Sequence, residues 1–308
     1  MHRLTITLLC LCLCILLPQP VRAAGPERSN GQARDDRATV DRNAVVFLGH
    51  CSGTLITDLI ILTAAHCVPS HLRLPRPEED DDTRCAALPD QHGLQGRAWE
   101  DPMAWNLIPV RDTFAVGLGA GRDDLRMTIK VRAYSIPRCA DIALLQLVRR
   151  VPPALVTPMR VMTRPPADGP ALDAFLHAAQ LRYAGWGLGD HTAAQLPRRQ
   201  TGTVSYWDRN ACLLYTLPPE RAGGDRIVKG DSGSPLILHA DGIDRVAGVL
   251  FGSGLPDPAI CGLPLLRPPQ RHGAYTPTFR GLLAGTDATD IGAWIAHFAP
   301  EATDPPGE

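Results

Sequence analysis

The sequence predicts an all-β fold, and three observations carry that reading. Apolar stretches of strand length recur along the chain: Val45-Val-Phe-Leu48, Leu59-Ile-Ile-Leu62, Ile142-Ala-Leu-Leu145, Leu236-Ile-Leu238 and Val246-Ala-Gly-Val-Leu-Phe251. The segments between them are rich in turn formers, with 28 glycines and 29 prolines among 308 residues. Long amphipathic helical periodicity is scarce, which disfavours an α/β arrangement.

The chain opens with Arg3 ahead of a short apolar core that ends at Pro18, followed by small residues in Val21-Arg-Ala23. This pattern predicts a signal peptide over residues 1–23, cleaved after Ala23, and no later run has the length of a membrane span. Residues 24–43 form a polar N-terminal arm. The two halves of the β fold occupy residues 44–150 and 151–300. Arg149 to Gly169, proline-rich and without strand pattern, serves as the linker between them. Asp290-Ile-Gly-Ala-Trp-Ile-Ala-His-Phe298 sets Ile291, Trp294, Ile295 and Phe298 on one helical face and predicts a closing α-helix, with residues 301–308 as a tail.

A formal net charge of -1 gives no concentrated basic patch, so nucleic acid is not expected as a partner. Loss of the leader removes Cys10, Cys12 and Cys14. Cys51, Cys67, Cys85, Cys139, Cys212 and Cys261 remain, an even number in an exported chain that reads as up to three disulfides. Neither a Cys-x-x-Cys pair nor a His-Glu-x-x-His helix is present, so no metal or other cofactor is expected.

Three segments carry chemistry. Gly230-Asp-Ser-Gly-Ser-Pro235 sets Ser232 between glycines ahead of an apolar strand. A serine hydroxyl is a weak nucleophile at neutral pH, so it needs a base, an orienter for that base and donors for an oxyanion. Thr63-Ala-Ala-His-Cys67 supplies His66 just past a strand. Asp141 opens a nearly continuous apolar run to Leu147, where a carboxylate without a partner would be costly to bury.

His66, Asp141 and Ser232, in that order, with Cys51-Ser-Gly-Thr-Leu-Ile56 ahead, resemble the chymotrypsin/trypsin family of serine endopeptidases. Tyr183-Ala-Gly-Trp-Gly187, Gly273-Ala-Tyr-Thr276 and the terminal helix match further family segments, so the resemblance runs from about Val45 to Phe298. It implies two packed antiparallel six-stranded β-barrels with the site between them. His66 and Asp141 come from the first barrel and Ser232 from the second, and the backbone N–H groups of Gly230 and Ser232 form the oxyanion hole. The implied protein is a monomeric, secreted or periplasmic peptidase whose partner is a protein or peptide substrate. An exported, catalytically inactive binding protein on the same fold is the alternative. An α/β-hydrolase elbow does not fit, because Ser234 occupies its second glycine and the order of the three residues is reversed.

Departures from the family bear on specificity and activation. Arg226 stands where trypsin-like members carry an acid at the base of the specificity pocket, which removes support for cleavage after Lys or Arg. The segment is similar to the glutamyl-endopeptidase branch and raises an acidic preference, although Leu250 fills the position of that branch's histidine. Phe251 and Gly252 line the substrate cleft. The Ile-Val-Gly-Gly start of a cleaved zymogen is missing, leaving Asp231 to pair with Lys229, Arg226 or another N-terminus. The family implies a Cys51–Cys67 bridge, whereas Cys85 with Cys139 and Cys212 with Cys261 are pairings by barrel alone. Another common family bridge is replaced by Leu181 and Leu238. Glu78-Glu-Asp-Asp-Asp82 reads as a solvated loop, with a calcium site as the alternative. The 76–105 insertion reads as a surface excursion.

Overall fold

The computed structural model describes residues 44–72, 106–137 apart from 113, 120, 122 and 123, 140–187, 200–217 apart from 211, 227–253, 266–267, 272–279 and 290–304. The leader, the arm, the acidic run at 78–82, the 76–105 insertion, Arg226, Cys85, Cys139 and Cys261 lie outside these residues. None of the helices among the described residues is long and apolar enough to cross a membrane.

The first barrel is built from β1 (Val45–Phe47), β2 (Ser52–Leu55), β3 (Ile60–Thr63), β4 (Ile108–Pro109), β5 (Ala115–Gly119), β6 (Leu125–Ser135) and β7 (Ala143–Leu147). Six of them close a ring in the order β6-β5-β1-β2-β3-β7, with β7 returning to β6, and β4 pairs with β6 outside it. Their apolar content follows their burial. β3 is buried along its whole length, and β6 alternates, turning Ile129 and Val131 inward while Arg126, Lys130 and Arg132 face water. A register shift between Val131 and Ala133 bends β6 so that it can pair with β5 and β7 together.

The second barrel contains β8 (Arg160–Val161), β9 (Gln180–Gly185), β10 (Gln200–Arg209), β11 (Leu214–Leu217), β12 (Pro235–Ala240), β13 (Ile243–Gly252) and β14 (Gly273–Pro277). Its ring runs β12-β9-β10-β11-β14-β13 and closes between β13 and β12. Leu181 and Leu238 face each other directly across β9 and β12, both buried. The chain therefore forms two closed six-stranded antiparallel barrels, an all-β fold.

Two segments depart from the sequence expectation. The 149–169 stretch is more than a linker, since Arg160 and Val161 form β8, parallel to Arg245 and Val246 of β13. A helix that the periodicity did not reveal, α1 (Gly169–Ala178), follows it with a proline at its start. Only Leu172 and Leu176 of α1 are buried, and a polar clamp fixes it to β10. Asp173 accepts from the Tyr206 hydroxyl at 2.6 Å and from Arg209 Nε at 2.7 Å. Burial pushes the Asp173 carboxyl up, but the hydrogen bonds from Arg209 and Tyr206 outweigh it and hold the group below the ordinary carboxylate range.

The barrels interlock through aromatic side chains. Trp186 leaves β9, packs on Phe47 at 5.2 Å between ring centroids and donates its indole N–H to the Val45 carbonyl at 3.2 Å. The closing helix α2 (Ile291–Phe298) starts at Asp290, whose side chain caps the Ala293 N–H at 2.7 Å. Trp294 of α2 is fully buried and donates to Ser135 of β6 at 3.0 Å, which ties the C-terminus to the first barrel.

Candidate active site

His66 sits in a short 3-10 turn, Ala65–Cys67, directly after β3. The hydrogen-bonded ladder of β3 with β2 and β7 fixes where that turn begins. The Cys51–Cys67 disulfide anchors its end to the strand entrance of β2. Asp141 precedes β7, the neighbour of β3, so the ladder that pairs Thr63 with Ala143 also brings the His66 and Asp141 side chains together. Asp141 holds His66 twice: Oδ2 lies 2.7 Å from the imidazole Nδ1, and Oδ1 accepts the His66 backbone N–H at 2.9 Å. This two-point grip fixes the ring's rotation as well as its position and leaves Nε2 facing away from the carboxylate. The second barrel braces the pair, since Thr276 Oγ1 donates to the Asp141 carbonyl at 3.3 Å and the Phe251 ring meets the imidazole edge-on at 6.4 Å.

Ser232 lies in the turn ahead of β12 and is partly exposed between two residues of positive φ, Gly230 at 102° and Gly233 at 82°. These angles are open to glycine at little cost and are strained for other residues. Asp231 beneath it is fully buried, and its carboxylate accepts the N–H groups of Gly187 at 2.7 Å and Val228 at 2.9 Å. A side chain at Gly185 or Gly187 would strike that carboxylate, with a Cβ only 2.3 Å and 2.5 Å from its oxygens. The turn's backbone is otherwise well used. Asp231, Gly233 and Ser234 donate to Val228, Leu250 and Asp231, whereas the N–H groups of Gly230 and Ser232 find no acceptor among the described residues. Two neighbouring donors left over in a turn that spends the others is what an oxyanion site requires.

The Ser232 turn also docks on the first barrel, through Ser52, which sequence alone does not single out. Ser52 of β2 donates its N–H to the Ser232 carbonyl at 2.7 Å and its hydroxyl to the Gly230 carbonyl at 3.0 Å. Its Oγ accepts the Trp186 N–H at 2.8 Å, and its carbonyl accepts from Thr63 Oγ1 at 2.7 Å. Gly233 packs so tightly here that a Cβ would lie 2.1 Å from the Ser52 carbonyl oxygen. The docked segments are those that lead to His66, since Gly233 also faces the Ala64 backbone. Ser52 lies within the Cys51–Ile56 segment, but its partners are 134 and 178 residues away, beyond any local signal.

Of the residues lining the cleft in the sequence reading, Phe251 is beside His66 and Gly252 follows it at the end of β13, while Arg226 lies outside the described residues. Ile227 is described, and its side chain reaches over Gly273 of β14. Leu250 is fully buried and exchanges backbone hydrogen bonds with Gly233 and Ser234, so its role is to hold the turn. Cys212 is disulfide-bonded to a partner outside the described residues. Among the described residues, the one grouping within metal reach is Cys51, His66 and Cys67, and the disulfide removes its two thiolates as ligands.

Comparison with known proteins finds similarity to granzyme M of Rattus norvegicus, 27% identical over 210 residues that cover 64% of this chain and 67% of that protein. No family model matches the chain.

Proposed function

We propose that this chain, whose fold is that of the chymotrypsin/trypsin-like serine proteases, is an exported serine endopeptidase. The observation that carries the reading is the pair of hydrogen bonds that Asp141 accepts from His66, at the end of the β2–β3 hairpin whose Ser52 also grips the Ser232 turn. Asp141 holds one tautomer, with the proton on Nδ1, so that Nε2 is the free base. His66 takes the proton from Ser232 as its Oγ attacks a peptide carbonyl, and Asp141 stabilises the imidazolium that forms. The N–H groups of Gly230 and Ser232 receive the oxyanion, a contribution of ~100- to 1,000-fold in turnover per donor. The imidazolium then returns its proton to the leaving amine, and water repeats the sequence on the acyl-enzyme. Export is supported by the leader-like residues 1–23 and by a disulfide beside His66.

A peptide-library digest tests the reading. Cleavage by the processed protein, lost in Ser232→Ala and in His66→Ala, supports it, and the same profile reports whether acidic side chains are preferred. Folded, processed protein without cleavage of any peptide argues instead for the binding-protein alternative.

A further inference from the structure

We infer that Ser52 is a positioning residue for the nucleophile, with its hydroxyl aligning the turn that carries Ser232 and the oxyanion donors. The inference rests on the peptidase reading above.

Ser52 is fully buried in β2, where a hydroxyl without partners would be unfavourable. Its single hydroxyl proton goes to the Gly230 carbonyl and one lone pair takes the Trp186 N–H, so both side-chain partners belong to the other barrel. The backbone N–H of the same residue holds the Ser232 carbonyl. Ser52 thus grips the turn on both sides of Asp231, while Asp231 itself is pinned from below by Gly187 and Val228. Holding the Gly230 carbonyl fixes the peptide plane between Gly230 and Asp231, next to a glycine at φ 102° that has no side chain to restrict it. The Gly230 N–H lies in the preceding peptide plane, so with the following plane held its direction is set by the φ and ψ torsions of Gly230 alone.

The hairpin gives this grip its reference frame. β2 pairs with β3, β3 runs into the His66 turn, and Thr63 at the end of β3 hydrogen-bonds back to the Ser52 carbonyl. The base and the clamp on the nucleophile are therefore parts of one rigid unit. Two barrels brought together by apolar packing alone would have latitude to slide. Polar bonds from Ser52 N–H, Trp186 and Thr276 already cross between the barrels, and the Ser52 hydroxyl adds the one that holds the Gly230 end of the Ser232 turn.

The test compares Ser52→Ala with the wild-type protein, with kcat expressed per titrated active site, so that a loss of folded protein does not register. We expect kcat to fall about 10- to 100-fold, the range that a misplaced catalytic group loses, with KM within about twofold. Affinity for a peptide boronate, which occupies the oxyanion position, falls in parallel, and affinity for the product peptide does not. Ser52→Gly keeps the backbone bond to Ser232 while removing the hydroxyl, and is read the same way should Ser52→Ala not fold. A normal kcat per titrated site, with only the titratable fraction or Tm reduced, overturns the inference. Wild-type protein without turnover removes the peptidase reading and the role of Ser52 together, whereas an active wild type with unimpaired variants removes the role of Ser52 alone.

Discussion

Gly233→Ala probes the contact between the Ser232 turn and the first barrel at its tightest point. Gly233 has φ 82°, and an added Cβ would lie 2.1 Å from the Ser52 carbonyl oxygen, 2.3 Å from Thr63 Oγ1 and 3.2 Å from the Ala64 nitrogen. A carbon approaches a carbonyl oxygen to about 3.3 Å, so the turn must retreat by about 1 Å. The Ser52 carbonyl sits in a strand paired with Phe47 of β1 and accepts from Thr63, so the turn is the part that moves, and its retreat opens the 2.7 Å bond from Ser52 N–H to the Ser232 carbonyl. The left-handed backbone adds ~1–2 kcal/mol of strain and the broken bond ~1 kcal/mol, so we expect stability to fall by about 2–3 kcal/mol. Displacement of Ser232 by ~1 Å from His66 lowers kcat about 100-fold. Gly242→Ala is the control, because Gly242 has φ 74° but nothing within 4 Å of its Cβ position. It carries the backbone strain without the collision and should keep wild-type kcat. Thermal melting and turnover per titrated site on both variants measure the two effects separately. A Gly233→Ala enzyme with the kcat of Gly242→Ala would refute the docking geometry.

Three further outcomes follow from named contacts. Asp141→Asn keeps the hydrogen-bonding reach but favours the wrong imidazole tautomer, and should lower kcat by ~10,000-fold with little change in KM, measured on a fluorogenic peptide. Replacing both cysteines of the Cys51–Cys67 bridge, which spans 16 residues, with serine should cost about 3 kcal/mol of stability, read as a lower urea midpoint than that of the wild-type protein without reductant. Asp173 has a folded-state pKa below its unfolded value, so its contribution is present above the ordinary carboxylate range and is lost as pH falls through and below it. Melting temperatures measured against pH should therefore drop less steeply at acid pH in Asp173→Asn than in the wild-type protein, and equal slopes would count against the clamp.

The parts of the fold that could be read in the sequence are those whose signal is local. β3 is buried throughout and β7 everywhere but at Gln146, so their apolar runs stand out, and the Asp290 cap with Ile291, Trp294 and Ile295 marks α2 within a single short window. The features that escaped depend on distant partners. β8 is two residues long and exists because β13 offers a parallel edge to Arg160 and Val161. α1 buries only Leu172 and Leu176 and owes its place to Tyr206 and Arg209, more than 30 residues downstream. Its Gly-Pro opening reads as a turn unless that clamp is known. The same division runs through the site. His66, Asp141 and Ser232 sit in motifs of distinctive local composition, whereas Ser52 looks like an ordinary strand serine until its partners in the other barrel are seen.

The most direct test is the site of covalent modification by diisopropyl fluorophosphate, located by tandem mass spectrometry of the processed protein. The account predicts one adduct per chain, on Ser232, that requires His66 and is lost in His66→Ala. An adduct on another residue, or labelling of Ser232 that persists at the same rate without His66, would contradict it.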